Sequence, residues 1–227
     1  MQTHKLFALL AAFSLVTVVS AAEPVADLPT TMSERGKLLF SDDFAGEAIK
    51  PEWGQLKGKW AVVNGALRGS EVETDDHAAV TRNRIAYRNA VIQFSFKLDG
   101  CKSASLSLNN QAGHVGRVLL TPKDFTVQRD KPNKQGTEKA AKLDTKEAKL
   151  ADGQWHTLLV ELVGDRMLAR LDGKVVAFGE HAGLDTEKKD FGFTVAGSSL
   201  LVDNVRVWEA TPKKDFDKKR LAAAERK

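Results

Sequence analysis

The chain has very little cysteine and tyrosine for its length. Its 227 residues include one cysteine, Cys101, and one tyrosine, Tyr87. A lone cysteine excludes an intrachain disulfide, so a hydrophobic core must stabilise the fold, unlike the disulfide-rich domains of many small secreted proteins. No histidine adjoins Cys101 in the sequence, which favours a small residue near a turn over a nucleophile.

Aromatic residues that could stack on sugars are also scarce. A sugar-binding surface usually presents tryptophan or tyrosine rings to the apolar faces of pyranoses. The four tryptophans stand at positions typical of a core or a sandwich edge: Trp53, Trp60, Trp155 and Trp208. The sequence therefore argues against a tight lectin and leaves weaker sugar binding through polar groups open.

Net positive charge is confined to the C-terminal end. The formal net charge is +4, and residues 211–227 alone carry seven Lys and Arg against three Asp and Glu. A nucleic-acid-binding domain would carry basic residues on its folded surface, interleaved with aromatic rings. We therefore expect no nucleic-acid partner. The segment 211–227 is predicted to be a solvated, partly helical tail, with contact to an acidic surface as the alternative.

Long apolar runs are absent after the first residues. Leu6–Val19 carries no charge, follows the basic pair His4 and Lys5, and ends at small residues up to Ala22. This pattern is typical of a secretory signal peptide at 1–22. The run is short for a membrane span, which needs about 20 residues. We expect a bacterial periplasmic or secreted protein with no transmembrane segment after cleavage.

Alternation with a period of two dominates the rest of the chain. In Ala90–Leu98 and Ser103–Leu108 apolar and polar side chains alternate, which predicts strands with one buried face. Tight-turn dipeptides separate candidate strands at Asn64–Gly65, Asp99–Gly100, Gly164–Asp165 and Asp172–Gly173. Around a dozen short strands with such turns predict one all-β domain at 37–210, a sandwich rather than a barrel.

One segment breaks the alternation. Arg129–Gly153 is lysine-rich and nearly free of large apolar residues. Long excursions between strands are either functional or mobile. We expect a mobile, solvated loop that is helical around Thr137–Asp144.

Three segments resemble concanavalin A-like jelly-roll modules of the LamG and glucanase type. Leu38–Glu71 has a strand ending in an acidic residue and Phe, then a Trp, then W-x-V-x-x-G-x-L. Gly153–Glu180 resembles the central hairpin of these modules, and Leu200–Ala210 resembles their last strand. The resemblance implies a jelly-roll β-sandwich of two antiparallel sheets. Among such proteins the chain is most similar to the bacterial secreted 3-keto-disaccharide hydrolase-like family, which implies a carbohydrate ligand.

A glucanase-type acid pair is not expected. Retaining enzymes need two carboxylates about 5 Å apart. Glu71, Glu73 and Asp75 alternate, but His77 and its neighbours stand where the family pattern calls for another Glu. An acidic, solvated loop is the better interpretation of this stretch.

Cleavage of a 3-keto sugar uses different chemistry. A ketone at C3 acidifies the neighbouring C–H, so removal of that proton can expel the glycosidic oxygen, given a base and a cation at the carbonyl. His114 and Arg117, at the start of a strand, are the predicted base and electrostatic stabiliser. The predicted substrate-binding residues are Asn109, Gln111, Arg82, Ser107 and Glu161. Each of these residues alone could equally be solvated or paired with a nearby acid.

No histidine cluster has metal-ligand spacing, so no metal cofactor is predicted. A structural calcium ion stays open if the terminal strands bring Asp43 near Asp203, although Asp203 and Asn204 could instead satisfy backbone groups.

Two functions of different classes remain, a sugar-processing hydrolase or lyase and a non-catalytic carbohydrate-binding or cell-envelope interaction module. A closed cavity that joins His114, Arg117 and a further ionisable residue would favour the enzyme. A shallow polar face would favour the module.

Overall fold

A computed structural model describes residues 21–132, 137–219 and 221. The described residues form thirteen strands and two short 3₁₀ helices, at Glu73–Asp75 and Ala182–Leu184. The strands are β1 (Ser33–Asp42), β2 (Trp53–Lys57), β3 (Lys59–Val63), β4 (Ala66–Ser70), β5 (Ala79–Asn83), β6 (Ala90–Asn110), β7 (Gly113–Leu120), β8 (Asp124–Arg129), β9 (Ala141–Glu147), β10 (Trp155–Val163), β11 (Arg166–Leu171), β12 (Val175–Glu180) and β13 (Asp190–Pro212). The predicted signal peptide falls largely on residues 1–20, outside the described residues. No helix in the described part is both long and apolar enough to span a membrane.

Two long strands, β6 and β13, run through both layers of the sandwich. Gly100 in β6 has a φ of 72° and Gly197 in β13 a φ of 97°, a region that favours glycine. The two strands pair with each other on both sides of these glycines. The turn predicted at Asp99–Gly100 is therefore wrong, because the glycine bends one continuous strand into the second layer instead of reversing it. The other three predicted turns connect hairpins, as expected.

The halves of β6 and β13 organise two antiparallel sheets. Sheet A contains β12, β11, β10, the first half of β6 and the second half of β13, which also pairs with β1 and with β4–β3. Sheet B contains β9, β8, β7, the second half of β6, the first half of β13, then β5 and β2. The predicted all-β jelly-roll sandwich is confirmed.

The main core lies between the two sheets. Alternate residues of β6 enter it as predicted, including Phe94, Phe96 and Leu106. Trp53 stacks on Phe193 with ring centroids 5.8 Å apart. Burial of each such side chain contributes about 1.5–3 kcal/mol. Trp60 and Trp208 are also buried and Trp155 is partly buried, which agrees with their prediction as core or edge residues.

The N-terminal segment 21–32 covers the outer face of sheet A. Glu161 is fully buried there and accepts hydrogen bonds from the backbone N–H groups of Thr31 (2.6 Å), Met32 (2.9 Å) and Ser33 (2.8 Å). Gln93 Nε2 donates to a backbone carbonyl of the same segment. The polar face predicted for β6 and β10 is thus occupied by the protein's own chain.

The C-terminal segment covers the adjoining part of sheet A. Phe216 packs against Phe178 with ring centroids 5.9 Å apart, and Lys218 forms a 2.7 Å ion pair with Glu180. The outer face of sheet A is apolar here, with Leu168 among its buried residues. The described part of the tail therefore packs on the sheet, which the charge pattern alone did not predict.

The helix predicted at Thr137–Asp144 is wrong. Ala141–Glu147 forms β9 at the edge of sheet B, paired with β8. Leu143 packs against Gly179, where an added Cβ would lie 2.3 Å from Leu143 Cβ, and Thr145 and Thr126 are hydrogen-bonded through their hydroxyls at 2.9 Å. Ladder pairing and this packing outweigh the helix propensity of the Ala- and Lys-rich sequence, because tertiary contacts override local propensity.

Candidate functional site

The outer face of sheet B carries a cavity of about 430 Å³. It lies over the second half of β6, the first half of β13, and the flanking strands β7, β5 and β2. Its cationic and imidazole side chains are Lys57, Arg82, Arg117, His77 and His114. The predicted pair His114 and Arg117 thus shares one cavity with further ionisable groups.

Strand register places two arginines in one row across sheet B. Arg117 is opposite Ser107, Ser107 is opposite Gly192, and Gly192 is opposite Arg82. Paired residues in neighbouring strands point to the same face. Arg82 and Arg117 therefore lie in one row on the same face of sheet B, although they are far apart in the sequence.

A β-bulge brings His114 to the same face as Arg117. Residues three apart in a regular strand point to opposite faces. Here Leu108 is opposite Gly116 and Asn109 is opposite His114, so Val115 is the extra residue of the bulge. Val115 is buried, and its carbonyl accepts a 3.0 Å hydrogen bond from the Asp130 N–H. The prediction that His114 and Arg117 act at one site depends on this bulge, because without it their side chains would point to opposite faces.

A hydrogen-bonded relay orients the imidazole of His114. Asn109 is fully buried, and its Nδ2 donates to Asp190 Oδ1 at 2.6 Å. Because a carboxylate only accepts, the Asn109 Oδ1 is the atom that lies 2.7 Å from His114 Nδ1. His114 Nδ1 therefore carries the hydrogen, and the lone pair of the neutral ring lies on Nε2.

The surroundings keep His114 neutral. Burial lowers the pKa of His114 from its ordinary value of 6.5, and the nearby charge of Arg117 lowers it further, against the opposing effect of Asp130. An imidazole with a lowered pKa and a free Nε2 lone pair can accept a proton near neutral pH.

Buried carboxylates hold both arginines from behind. Arg117 Nε donates to Asp130 at 2.9 and 2.8 Å, and Gln128 Nε2 donates to the same carboxylate at 2.7 Å. Arg82 Nε lies 3.8 Å from Asp190. In the described part of the chain, the Nη groups of both arginines donate to no other side chain. They remain free to bind an oxygen atom in the cavity.

Hydroxyl groups form the floor of the cavity. Ser107 Oγ lies 3.3 Å from Ser105 Oγ and 3.4 Å from Thr194 Oγ1, and Ser105 and Thr194 are also hydrogen-bonded to each other. These groups both donate and accept, which suits the hydroxyls of a sugar.

The structure separates the predicted site residues into three places. His114, Arg117, Arg82 and Ser107 line the cavity, and Asn109 lies directly behind His114. Gln111 is exposed in the β6–β7 turn and is not a lining residue. Glu161 lies on the outer face of sheet A, where it binds the N-terminal segment.

The sequence interpretation did not single out four residues of the site: Lys57, Asp130, Asp190 and Thr194. Asp130 stood in the stretch interpreted as a solvated loop, and Asp190 stood at a predicted strand start. Only the strand order of sheet B brings these residues to the predicted pair.

The alternating acids Glu71, Glu73 and Asp75 lie in a 3₁₀ helix and the residues before it. Asp75 accepts a 2.6 Å hydrogen bond from the Gly58 N–H, and Glu71 accepts one from the Gly197 N–H. None of the residues lining the main cavity is Asp or Glu. Glu71 and Asp75 thus bind backbone N–H groups, and none of the three acids lines the main cavity.

The residues proposed for calcium lie at the other face. Asp203 accepts hydrogen bonds from the N–H groups of Ala22 (2.9 Å) and Asn204 (2.6 Å). Burial, with a smaller contribution from Asp43, raises its pKa to about 6. Within the described ranges, no group of three or more His, Cys, Asp or Glu side chains is arranged to hold a metal ion.

The fold is shared with proteins of known structure. The chain is similar to a carbohydrate-binding module, CBM66, of Bacillus subtilis, with 14% identity, a TM-score of 0.58, and coverage of 70% of this chain and 96% of that chain. It is similar to the laminarinase of Rhodothermus marinus, with 12% identity, a TM-score of 0.61 and coverage of 79% and 99%. A Bacillus subtilis protein of unknown function with a galectin-like fold gives 9% identity, a TM-score of 0.60 and coverage of 80% and 100%.

At these identities the likeness establishes the architecture, a jelly roll of the concanavalin A-like type. No family model matches the chain. No curated protein sequence matches it either.

Proposed function

We propose that the protein is an exported enzyme that cleaves glycosidic bonds of 3-keto sugars by elimination in the sheet B cavity. The observation that carries this proposal is the neutral His114, with Nε2 unoccupied, in one cavity with Arg117 and Arg82. A base and a cation are the two groups that elimination next to a ketone requires.

The reaction would proceed from the C2–H bond of the keto sugar. His114 Nε2 accepts the C2 proton, the electrons of that bond form a C1=C2 double bond, and the C1–O glycosidic bond breaks. Arg117 donates to the C3 oxygen, which gains negative charge as the proton leaves. The leaving oxygen takes up a proton. His114 returns to its neutral form when Nε2 releases the proton that it accepted from C2. Water added to the double bond gives the hydrolysis product.

Carbohydrate as the ligand class is supported by the hydroxyl floor and by the proteins that share the fold. CBM66 is a carbohydrate-binding module and the Rhodothermus marinus protein a laminarinase. None of the residues lining this cavity is Asp or Glu. The cavity therefore lacks the two carboxylates that the mechanism of retaining glycosidases requires.

Turnover of a 3-keto glucoside with a chromogenic leaving group tests the proposal. We expect release of the leaving group by the wild type and a loss of about 10²–10⁴-fold in the His114→Gln variant. His181→Gln is the matched control, because His181 caps a 3₁₀ helix and is not a lining residue of the cavity. Equal turnover by wild type and His114→Gln, or none by either, would contradict the proposal.

A non-catalytic carbohydrate-binding module is the second candidate. The absence of Asp and Glu among the lining residues favours it, since a binding surface needs no acid pair. Glycan binding without turnover of the 3-keto glucoside would select this function over the enzyme.

Export is tested by expressing the full chain in a bacterium. We expect the mature protein in the periplasm or medium, with its N-terminus at Glu23 by mass spectrometry. A full-length chain retained in the cytoplasm would contradict this part of the proposal.

A further inference from the structure

We infer that the sheet B cavity recognises an acidic saccharide, whose carboxylate or sulfate group binds between Arg82 and Arg117. This inference rests on the proposed carbohydrate function and names the chemical class of the ligand.

The first support is the one-sided charge of the cavity. Lys57, Arg82 and Arg117 line it, and none of its lining residues is acidic. The chain contains 30 Asp and Glu, so this absence does not follow from composition. Lys57 is exposed and forms no ion pair with any other described residue. An unpaired cation on a cavity wall attracts anions and repels cations.

The second support is the way the two guanidinium groups are held. Asp130 and Asp190 are both at most 5% exposed; Asp130 accepts a 2.8 Å hydrogen bond from Arg117 Nε, and Asp190 lies 3.8 Å from Arg82 Nε. This leaves the terminal Nη groups as a planar donor pair, the geometry that binds carboxylate and sulfate oxygens in a bidentate manner. Hydrogen bonds from Arg117 to Asp130 fix that arginine, whereas Asp190 attracts Arg82 through charge alone, and neither acid lines the cavity.

The third support is the position of the two arginines in one row across sheet B. Ser107 and Gly192 occupy the positions between them in the row across sheet B. The Arg82 side chain lies over Gly192, where an added Cβ would be 2.9 Å from Arg82 Cγ, and the Ser107 hydroxyl can donate to an anion. The C3 oxygen of the proposed substrate takes one N–H group of Arg117, so Arg82, Lys57 and the remaining Nη–H groups of Arg117 exceed what elimination needs.

Titration calorimetry with matched acidic and neutral polymers tests the inference on the full chain. One pair is polygalacturonate and its methyl ester, which removes the charge but keeps the sugar backbone. The other is a sulfated galactan and its desulfated form, so the two pairs distinguish a carboxylate from a sulfate. We expect at least one acidic form to bind about tenfold or more tightly than its neutral partner. That binding should weaken as salt is raised.

Substitutions of the two arginines test where the anionic group binds. Arg82→Gln and Arg117→Gln should each lose about tenfold or more of the preference for the acidic form, and Arg82→Lys should recover part of it. Arg166→Gln is the control, because Arg166 lies in sheet A under Phe216 and away from the cavity. Thermal unfolding of each variant reports whether it is folded.

Three results would overturn the inference. Equal or tighter binding of the neutral forms would reject the acidic ligand and leave the proposed carbohydrate function standing. A preference unchanged in both arginine-to-glutamine variants would reject the site. No binding of any polymer would reject the acidic ligand, and turnover of the 3-keto glucoside would then decide the proposed function separately.

Discussion

Asn109 Oδ1 lies 2.7 Å from His114 Nδ1 and makes a neutral amide, rather than a carboxylate, the direct partner of the imidazole. The carboxylate of Asp190 is one hydrogen bond further away, on Asn109 Nδ2. The arrangement fixes the ring and its tautomer without placing a negative charge beside it. This explains how His114 can be oriented and still have a lowered pKa.

Replacing Asn109 should impair the reaction more than binding. In Asn109→Ser the side chain is too short to keep both hydrogen bonds, so the Nδ1 hydrogen loses its acceptor and the ring its orientation. We expect kcat on the 3-keto glucoside to fall about tenfold or more with little change in KM. Asn89→Ser is a matched control, since Asn89 also accepts a hydrogen bond, from Gly164 N, and is not a lining residue of the cavity. A normal kcat in folded Asn109→Ser would show that the relay does not position the base.

The activity should depend on pH through the neutral form of His114. Burial and Arg117 lower the pKa of His114 below 6.5, so the base is unprotonated above that pKa and activity should rise with pH to a plateau. Arg117→Gln removes the cation and raises the pKa, which should move the acidic limb of the kcat/KM profile to higher pH. Arg117→Lys keeps the charge and should leave the limb nearly in place. An acidic limb at the same pH in all three proteins would contradict the assignment of His114 as the base.

Glu161 should matter for stability and not for the cavity. Its carboxylate accepts backbone hydrogen bonds from three successive residues and a further one from the Ser33 hydroxyl. Glu161→Gln brings an amide N–H group toward these donors, so the free energy of unfolding should fall by about 1–3 kcal/mol. Urea denaturation measures this change, with the exposed Glu34→Gln as control. Loss of glycan binding in a fully folded Glu161→Gln protein would instead support its predicted role in substrate binding.

Gly69 should tolerate no side chain. A Cβ at this position would lie 2.3 Å from the ring of Trp60, which is buried against the strand. Gly69→Ala should lower the free energy of unfolding by about 1–3 kcal/mol through overpacking. At Gly46 an added Cβ meets nothing within 4 Å, so Gly46→Ala should change stability little. Equal melting temperatures of the two variants would contradict the packing of Trp60 on β4.

Asp203 should make stability depend on pH. Burial raises its folded pKa to about 6 from 3.8, so the folded state binds the proton more tightly than the unfolded state. The free energy of unfolding should therefore decrease as pH rises from about 4 to 6 and then level off. Asp203→Asn should lack this decrease in thermal melts across the same range. Calcium added to the wild type tests the alternative of a structural calcium ion directly, because binding to Asp43 and Asp203 would raise the melting temperature.

The strands of the fold follow from side-chain alternation, but their connections do not. Ala90–Leu98 and Ser103–Leu108 carry the expected two-residue period, and both are strand. A glycine with positive φ after an aspartate serves a hairpin turn at Asp172–Gly173 and a bend at Gly100. Only pairing with a distant partner, β13, distinguishes the two outcomes. Propensity likewise could not reveal that Leu143 packs against Gly179.

Proximity in sequence predicted only part of the candidate site, since Gln111 of the β6–β7 hairpin does not line the cavity and the distant Arg82 does. His114, Arg117, Asn109 and Ser107 belong to one hairpin, and all lie in or behind the cavity. Glu161 was predicted to bind substrate, but it lies in β10, which pairs with the first half of β6. The first half of β6 belongs to sheet A, whereas the cavity lies over the second half, in sheet B. Glu161 therefore lies on the opposite side of the molecule from the cavity.

Both ends of the described chain pack on the outer face of sheet A, and the cavity opens on sheet B. A tag, a fusion partner or a surface linker joined near Glu23 or Leu221 would extend from the side that is already covered. Attachment by either end would therefore leave the cavity on the side of the molecule that faces away from the attachment point, where a large polymer can reach it.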